Sequence, residues 1–229
     1  MGNLFSFATI ISSTMNGIIA FYIAYKLFSK EKRNYLTDQF KHFFVYFGLY
    51  FVVINLIVYT TLNNPYLFYV SVEAAHFILS LSLAFLFSAF LYIKHGKKTQ
   101  TAFWGFIIVG MTITLAGLVT VNPEVNSLNA TNAYLYKYEV LIPKMLFLTF
   151  GFMYPAISFF KEYLVEKDKK VARRYYLFSI IFTVWLIGGA LHSQAHNPLI
   201  FLAGDLILLV GFIISWTLLI NKKTSARKR

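Results

Sequence analysis

Apolar residues run along this chain in seven long blocks, at about 4–28, 41–62, 66–93, 102–121, 136–160, 175–192 and 198–220, separated by short polar segments. A helix rising about 1.5 Å per residue needs about 20 predominantly apolar residues to cross a hydrocarbon core, and the blocks match that length. The pattern predicts an all-α fold: one integral membrane domain over residues 1–229, a bundle of seven transmembrane helices with nothing left over for a soluble domain. Short connections predict that sequential helices are antiparallel neighbours. The first block begins at Leu4 with no basic stretch before it and no evident small-residue cleavage site, so it reads as a retained helix and not a signal peptide.

The polar segments carry the direction. Lys26 to Lys41, Lys94 to Lys98, Lys161 to Arg174 and the tail from Lys222 together hold 19 of the 21 Lys and Arg, all on one side of the predicted bundle; only Lys137 and Lys144 fall elsewhere. Basic residues near span ends stay in the cytoplasm, so the N-terminus is expected outside, the C-terminus inside, and the cell membrane is the expected location. The opposite segments agree: Asn63-Asn64-Pro65 reads as a tight turn and Asn122 to Asn132 as a polar loop, with Asn129-Ala130-Thr131 matching a glycosylation acceptor on the outer side.

Composition supports lipid as the main solvent, with 58% hydrophobic and 13% charged residues against about a quarter charged in soluble domains. The 25 Phe and 16 Tyr suit helix packing and membrane interfaces. A net charge of +12 raises nucleic acid as a partner, but the basic residues sit in short links between apolar spans, which excludes a basic face on a soluble domain. With no cysteine, a disulfide, a thiolate metal site and a cysteine nucleophile are all excluded.

Ionisable groups inside spans are costly and mark functional candidates. Glu73 and His76 lie about 10 to 16 Å from the outer end of helix three, Lys144 about 12 Å into helix five and Asp205 about 10 Å into helix seven, by the helical rise. Equal depth predicts contact, with Lys144 between Glu73 and Asp205 as a cation shared by two carboxylates. The same network read structurally only sets helix register. His192 and His196 stand four apart near the outer end of helix six; with His76 and Glu73 they offer ligands for zinc. Asn197-Pro198 follows at once and puts helical geometry at His196 in question. A haem held between His76 and His192 is the other cofactor reading. His42 and His95 fall at cytoplasmic ends and need no special role. Pro143 and Pro155 are expected to kink helix five, Gly188, Gly189, Gly204 and Gly211 to allow close helix contact, Asn55 to hydrogen-bond between helices, and Trp104 and Trp216 to sit in the interfacial belt.

Val184-Trp185-Leu186-Ile187-Gly188 in helix six, with Asp205 and then Val210-Gly211-Phe212 in helix seven, resembles the microbial rhodopsin family over about a quarter of the chain. The resemblance implies seven spans, an outward N-terminus, a Trp185 that packs on a bound chromophore and an Asp205 that serves in the counterion. It also implies a lysine four residues after Asp205, where this chain has Leu209. A Schiff base needs an amine, so covalent retinal is not expected. With Ser80 set against the family's pocket threonine, His76 takes the counterion position of helix three; a register three residues away puts Glu73 there.

The leading expectation is a non-enzymatic, rhodopsin-like, receptor-like protein without a cofactor. Its pocket of Glu73, His76, Lys144, Trp185 and Asp205 would respond to a small apolar ligand or to protons, signalling through a membrane or cytoplasmic protein partner. The alternatives are a metal-dependent membrane hydrolase using His76, His192 and His196, a haem protein, and an accessory subunit of a larger membrane complex. Ion translocation is disfavoured because the inner halves of helices three and seven are apolar apart from Ser82, Ser88 and Ser215.

Overall fold

The computed structural model describes residues 2–29, 34–61, 65–96, 100–120, 138–194 and 198–220. Seven α-helices account for nearly all of them: α1 Gly2–Phe28, α2 Tyr35–Thr61, α3 Pro65–His95, α4 Gln100–Thr120, α5 Tyr138–Val165, α6 Lys169–Gln194 and α7 Pro198–Leu219. No strand occurs among the described residues. Asn63, Asn64, the 122–132 segment with its Asn129 acceptor, Lys137 and His196 lie outside the described residues, as do Lys30, Lys32, Arg33, Lys97, Lys98 and the tail from Lys222.

Several helices are longer than their apolar blocks, because capping and polar first turns extend them past the hydrophobic stretch. Asn34 caps α2, its Oδ1 accepting the Thr37 N–H at 2.8 Å, so the helix starts before the block that begins at 41 and carries Asp38, Gln39, Lys41 and His42 in its first turns. Asp168 does the same for α6, its Oδ1 accepting the N–H groups of Lys170 at 2.7 Å and Val171 at 3.2 Å. At its far end α3 stops on Gly96, whose φ of +66° is the left-handed conformation that closes helices and favours glycine. The α5 helix stays unbroken through both Pro143 and Pro155.

Six of the seven described helices are long and apolar enough to cross a membrane, and α2, with its polar first turns, is the exception. The chain is a helical membrane-spanning protein. Its outward faces agree: Ile18 on α1, Val119 on α4, Leu146 on α5 and Ile213 on α7 are all exposed, as lipid allows and water does not.

Neighbours in sequence are neighbours in space, and contact between α1 and α7 closes the ring. The pairings run antiparallel. On α2 and α3, Tyr35 meets Tyr92 while Tyr50 meets His76; on α5 and α6, Phe152 meets Trp185 while Phe159 meets Tyr175. Alternation puts the start of α1, α3, α5 and α7 at one end of the bundle together with the ends of α2, α4 and α6. Glycines set the closest crossings: a Cβ on Gly204 would fall 2.8 Å from the Gly188 carbonyl oxygen, and one on Gly48 would fall 3.2 Å from that of Gly17. The middle is aromatic. Trp185, 2% exposed, packs on Phe43 and Phe212 at centroid distances of 5.1 and 5.7 Å, with its Nε1 edge against Gly211, where a Cβ would approach to 2.5 Å. Gly189 departs from the expected close contact, since a Cβ there meets nothing within 4 Å.

Candidate functional site

Two buried ionic pairs sit in the same end of the bundle, where α3, α5 and α7 begin. The first joins α3 to α5: Lys144 Nζ donates to Glu73 Oε1 at 2.9 Å, with both side chains buried. Glu73 lies against α4 at Gly117, where a Cβ would come within 2.9 Å of all three carboxylate heavy atoms, so a side chain at this position would require the carboxylate to move. Its Oε2 has no hydrogen-bond partner among the described residues.

The second pair joins α6 to α7. His192 Nδ1 and Asp205 Oδ1 are 2.8 Å apart, and Asp205 Oδ2 accepts the Ser12 hydroxyl, also at 2.8 Å. Asn16, one turn along α1 from Ser12, donates from Nδ2 to the Asp205 carbonyl oxygen at 3.0 Å. Three helices thus hold one carboxylate that is wholly shielded from solvent. With the carboxylate as acceptor Nδ1 is the donor, and Nε2 lies on the far side of the ring from Asp205. His192 Nε2 is buried with no partner among the described residues.

Between the pairs lies a cavity of about 50 Å³, walled by α2, α3, α5, α6 and α7. His76 and His192 both line it, with Thr149, the rings of Phe47, Tyr50, Phe51, Phe152 and Trp185, and the open face of Gly189. The Tyr50 ring stands between the two imidazoles, 6.4 Å from that of His76 and 6.2 Å from that of His192. His76 also lines a smaller cavity of about 10 Å³ together with Lys144, Ser80 and Thr114. His76 and Leu148 line both cavities, and His76 is the ionisable one of the two.

The shared-cation arrangement expected from equal depth is replaced by two separate pairs: Lys144 goes to Glu73, and the oxygens of Asp205 go to His192 and Ser12. Depth along a span says nothing about which faces meet, and α5 touches α3 while α7 packs between α6 and α1. Ser12, Asn16, Tyr50 and Gly117 take part without having been singled out from the sequence. Ser12 and Asn16 stand one turn apart in a helix that also carries Ser6, Thr9, Ser13 and Thr14, so nothing along the chain separates these two from its other polar residues. Asn55, expected to bond between helices, has an Nδ2 with no partner among the described residues.

For metal chemistry, His192 has one ring nitrogen on a carboxylate, as metal-binding histidines do, and the other buried without a hydrogen-bond partner among the described residues. Among the described residues no three His, Cys, Asp or Glu come together to hold an ion, and the third candidate ligand, His196, lies outside them. No amine lines the larger cavity, and the Lys144 amine is bonded to Glu73. Compared with known proteins, the chain matches no family model, no curated protein and no solved structure.

Proposed function

We propose that this chain is a seven-span protein of the cell membrane, N-terminus outside, that senses a small molecule or protons in the cavity between its two ionic pairs and passes the change to a protein partner. The observation that carries the reading is the pair of histidines lining one aromatic-walled cavity, with His192 held by a fully buried aspartate. Such a pair can exist in two charge states, and Trp185 in the same wall couples either state to the packing of α2, α6 and α7. The apolar run of α2 after His42 supports a seventh span, and the basic residues gathered on one side support an outward start.

The rhodopsin-like plan is kept as a resemblance in helices six and seven, with covalent retinal ruled out at Leu209 by chemistry. A second reading, a metal or haem site, is favoured only by the Nε2 of His192, which has no partner among the described residues. An absorption spectrum and metal analysis of the detergent-purified protein, before and after adding all-trans retinal, test both. A colourless, metal-free protein with a pH-dependent Trp185 emission is the expected result. A Soret band or stoichiometric zinc would replace the sensor reading with the histidine site.

A further inference from the structure

Helices α5 and α6 pack closely over one half of their length and leave a space between them over the other. In the half away from the ionic pairs, Ser179 Oγ donates to the Ala156 carbonyl oxygen at 2.9 Å, and the Phe159 ring lies 5.9 Å from that of Tyr175 and 5.7 Å from that of Phe182. Beside the ionic pairs, both helices instead wall the cavity of about 50 Å³. Two adjacent glycines of α6 mark the change. A Cβ on Gly188 would meet Leu208 and Gly204 of α7 at 2.8 and 3.0 Å, whereas one on Gly189, on the cavity wall, meets nothing within 4 Å.

The cavity has a buried back and a part-exposed front. Its walls on α2, α3 and α7 are buried, with Phe51 at 0%, Leu208 at 2% and Leu79 at 7% exposure. On α5 and α6 its walls include Met145, Leu148, Thr149, Leu186, Gly189 and Ala190, all of them part-exposed. The cavity therefore reaches the surface between these two helices. That surface lies at hydrocarbon depth, because Met145 to Phe152 stand about 10 to 20 Å along α5 from its start at Tyr138. Leu146, Phe150 and Ile187, exposed on the same two helices, are apolar. Carbon also dominates the interior. Nε1 of Trp185 and Nε2 of His192 are buried atoms and Nδ1 of His192 is bonded to Asp205, so these rings present carbon to the space, and Phe47, Phe51, Leu79, Phe152 and Leu208 add more.

We propose that this cavity is a binding site for a bilayer lipid, which enters sideways between α5 and α6 and seats a segment of one acyl chain against Trp185. The proposal rests on the sensing reading, whose ligand it names. Apolar cavities exclude water and take apolar guests, and about 50 Å³ is room for a few methylene-sized groups. Each methylene seated against these walls gains dispersion contacts. Hydrophobicity does not drive the entry, since lipid tails are as apolar as leucine; packing does. Because lipid is the solvent here, a modest fit keeps the site filled. Chain entry and withdrawal act directly on Trp185, whose ring packs on Phe43 of α2 and Phe212 of α7, so the bilayer itself becomes the input.

The test follows Trp185 emission from the full chain carrying Trp104→Phe and Trp216→Phe, which leaves one emitter of three. The protein is reconstituted in phosphatidylcholine vesicles, with or without bromine at the middle of the acyl chains, since bromine quenches indole only near contact. The expected result is a loss of Trp185 emission in the brominated vesicles and none with aqueous iodide. Gly189→Leu fills the opening from α6 without meeting a neighbour at its Cβ, and Thr149→Met fills it from α5. Each should restore the emission while circular dichroism stays unchanged. No loss in brominated vesicles, an undiminished loss in the folded variants, or quenching by iodide overturns the proposal. Emission that follows pH but not bromine overturns it and leaves proton sensing standing. Emission that follows neither removes both readings.

Discussion

The two ionic pairs share a depth in the bundle but are built for opposite behaviour. Glu73 and Lys144 are two full charges locked between α3 and α5, with the carboxylate laid on Gly117 and away from the larger cavity. Asp205 and His192 join one full charge to a group whose charge is optional, and His192 is among the residues that line that cavity. A pair of fixed charges in a low-dielectric interior holds helices in register, because neither member can leave without stranding the other. A carboxylate–imidazole pair has no fixed charge count, because the imidazole is charged only when it carries a second proton, which is what a switch needs. The difference assigns structure to the first pair and response to the second.

Removing one member of the structural pair should have the largest effect. Lys144→Met leaves Glu73 buried and uncompensated and should destabilise the bundle by about 3–5 kcal/mol in detergent unfolding. Adding Glu73→Gln should restore most of that loss. If the double variant is no more stable than the single one, Lys144 acts through packing and the division between the pairs fails. Asp205→Asn comes next. It loses hydrogen bonds to a charged group at Ser12 and His192, for about 1.5–3 kcal/mol, and should also erase the pH dependence of Trp185 emission. A variant that stays pH-responsive would move the switch to His76. Gly117→Ala puts a methyl group where the Glu73 carboxylate lies and should cost about 1–3 kcal/mol by overpacking, with the Trp185 response unaltered.

How much of this was readable along the chain depends on which physical rule each residue obeys. Spans are legible because every side chain facing lipid must be apolar, so the rule leaves its mark on whole blocks; helix ends are less so, because capping by Asn34 and Asp168 carries α2 and α6 past those blocks. Glu73, His76, Lys144 and Asp205 stand out because a charge in an apolar run is rare. Their partners do not, because depth is a one-dimensional quantity and pairing depends on which helix faces meet. Gly117 is invisible in the same way: a glycine in a span carries no sign that a carboxylate rests on it. Gly189 illustrates the converse, a glycine expected at a helix crossing that instead leaves a wall of the cavity open.

The smallest effect tests the finest point of the comparison, whether α1 belongs to the responsive pair. Ser12→Ala removes one hydrogen bond to Asp205 Oδ2, and hydrogen bonds between helices in membranes average about 0.6 kcal/mol, so unfolding should shift little. The carboxylate side chain would then be held by His192 alone, and the Trp185 emission of the folded variant should shift if α1 takes part in holding the pair. An emission that stays unchanged while Asp205→Asn alters it would place Ser12 in helix packing alone and confine the response to α6, α7 and the cavity beside them.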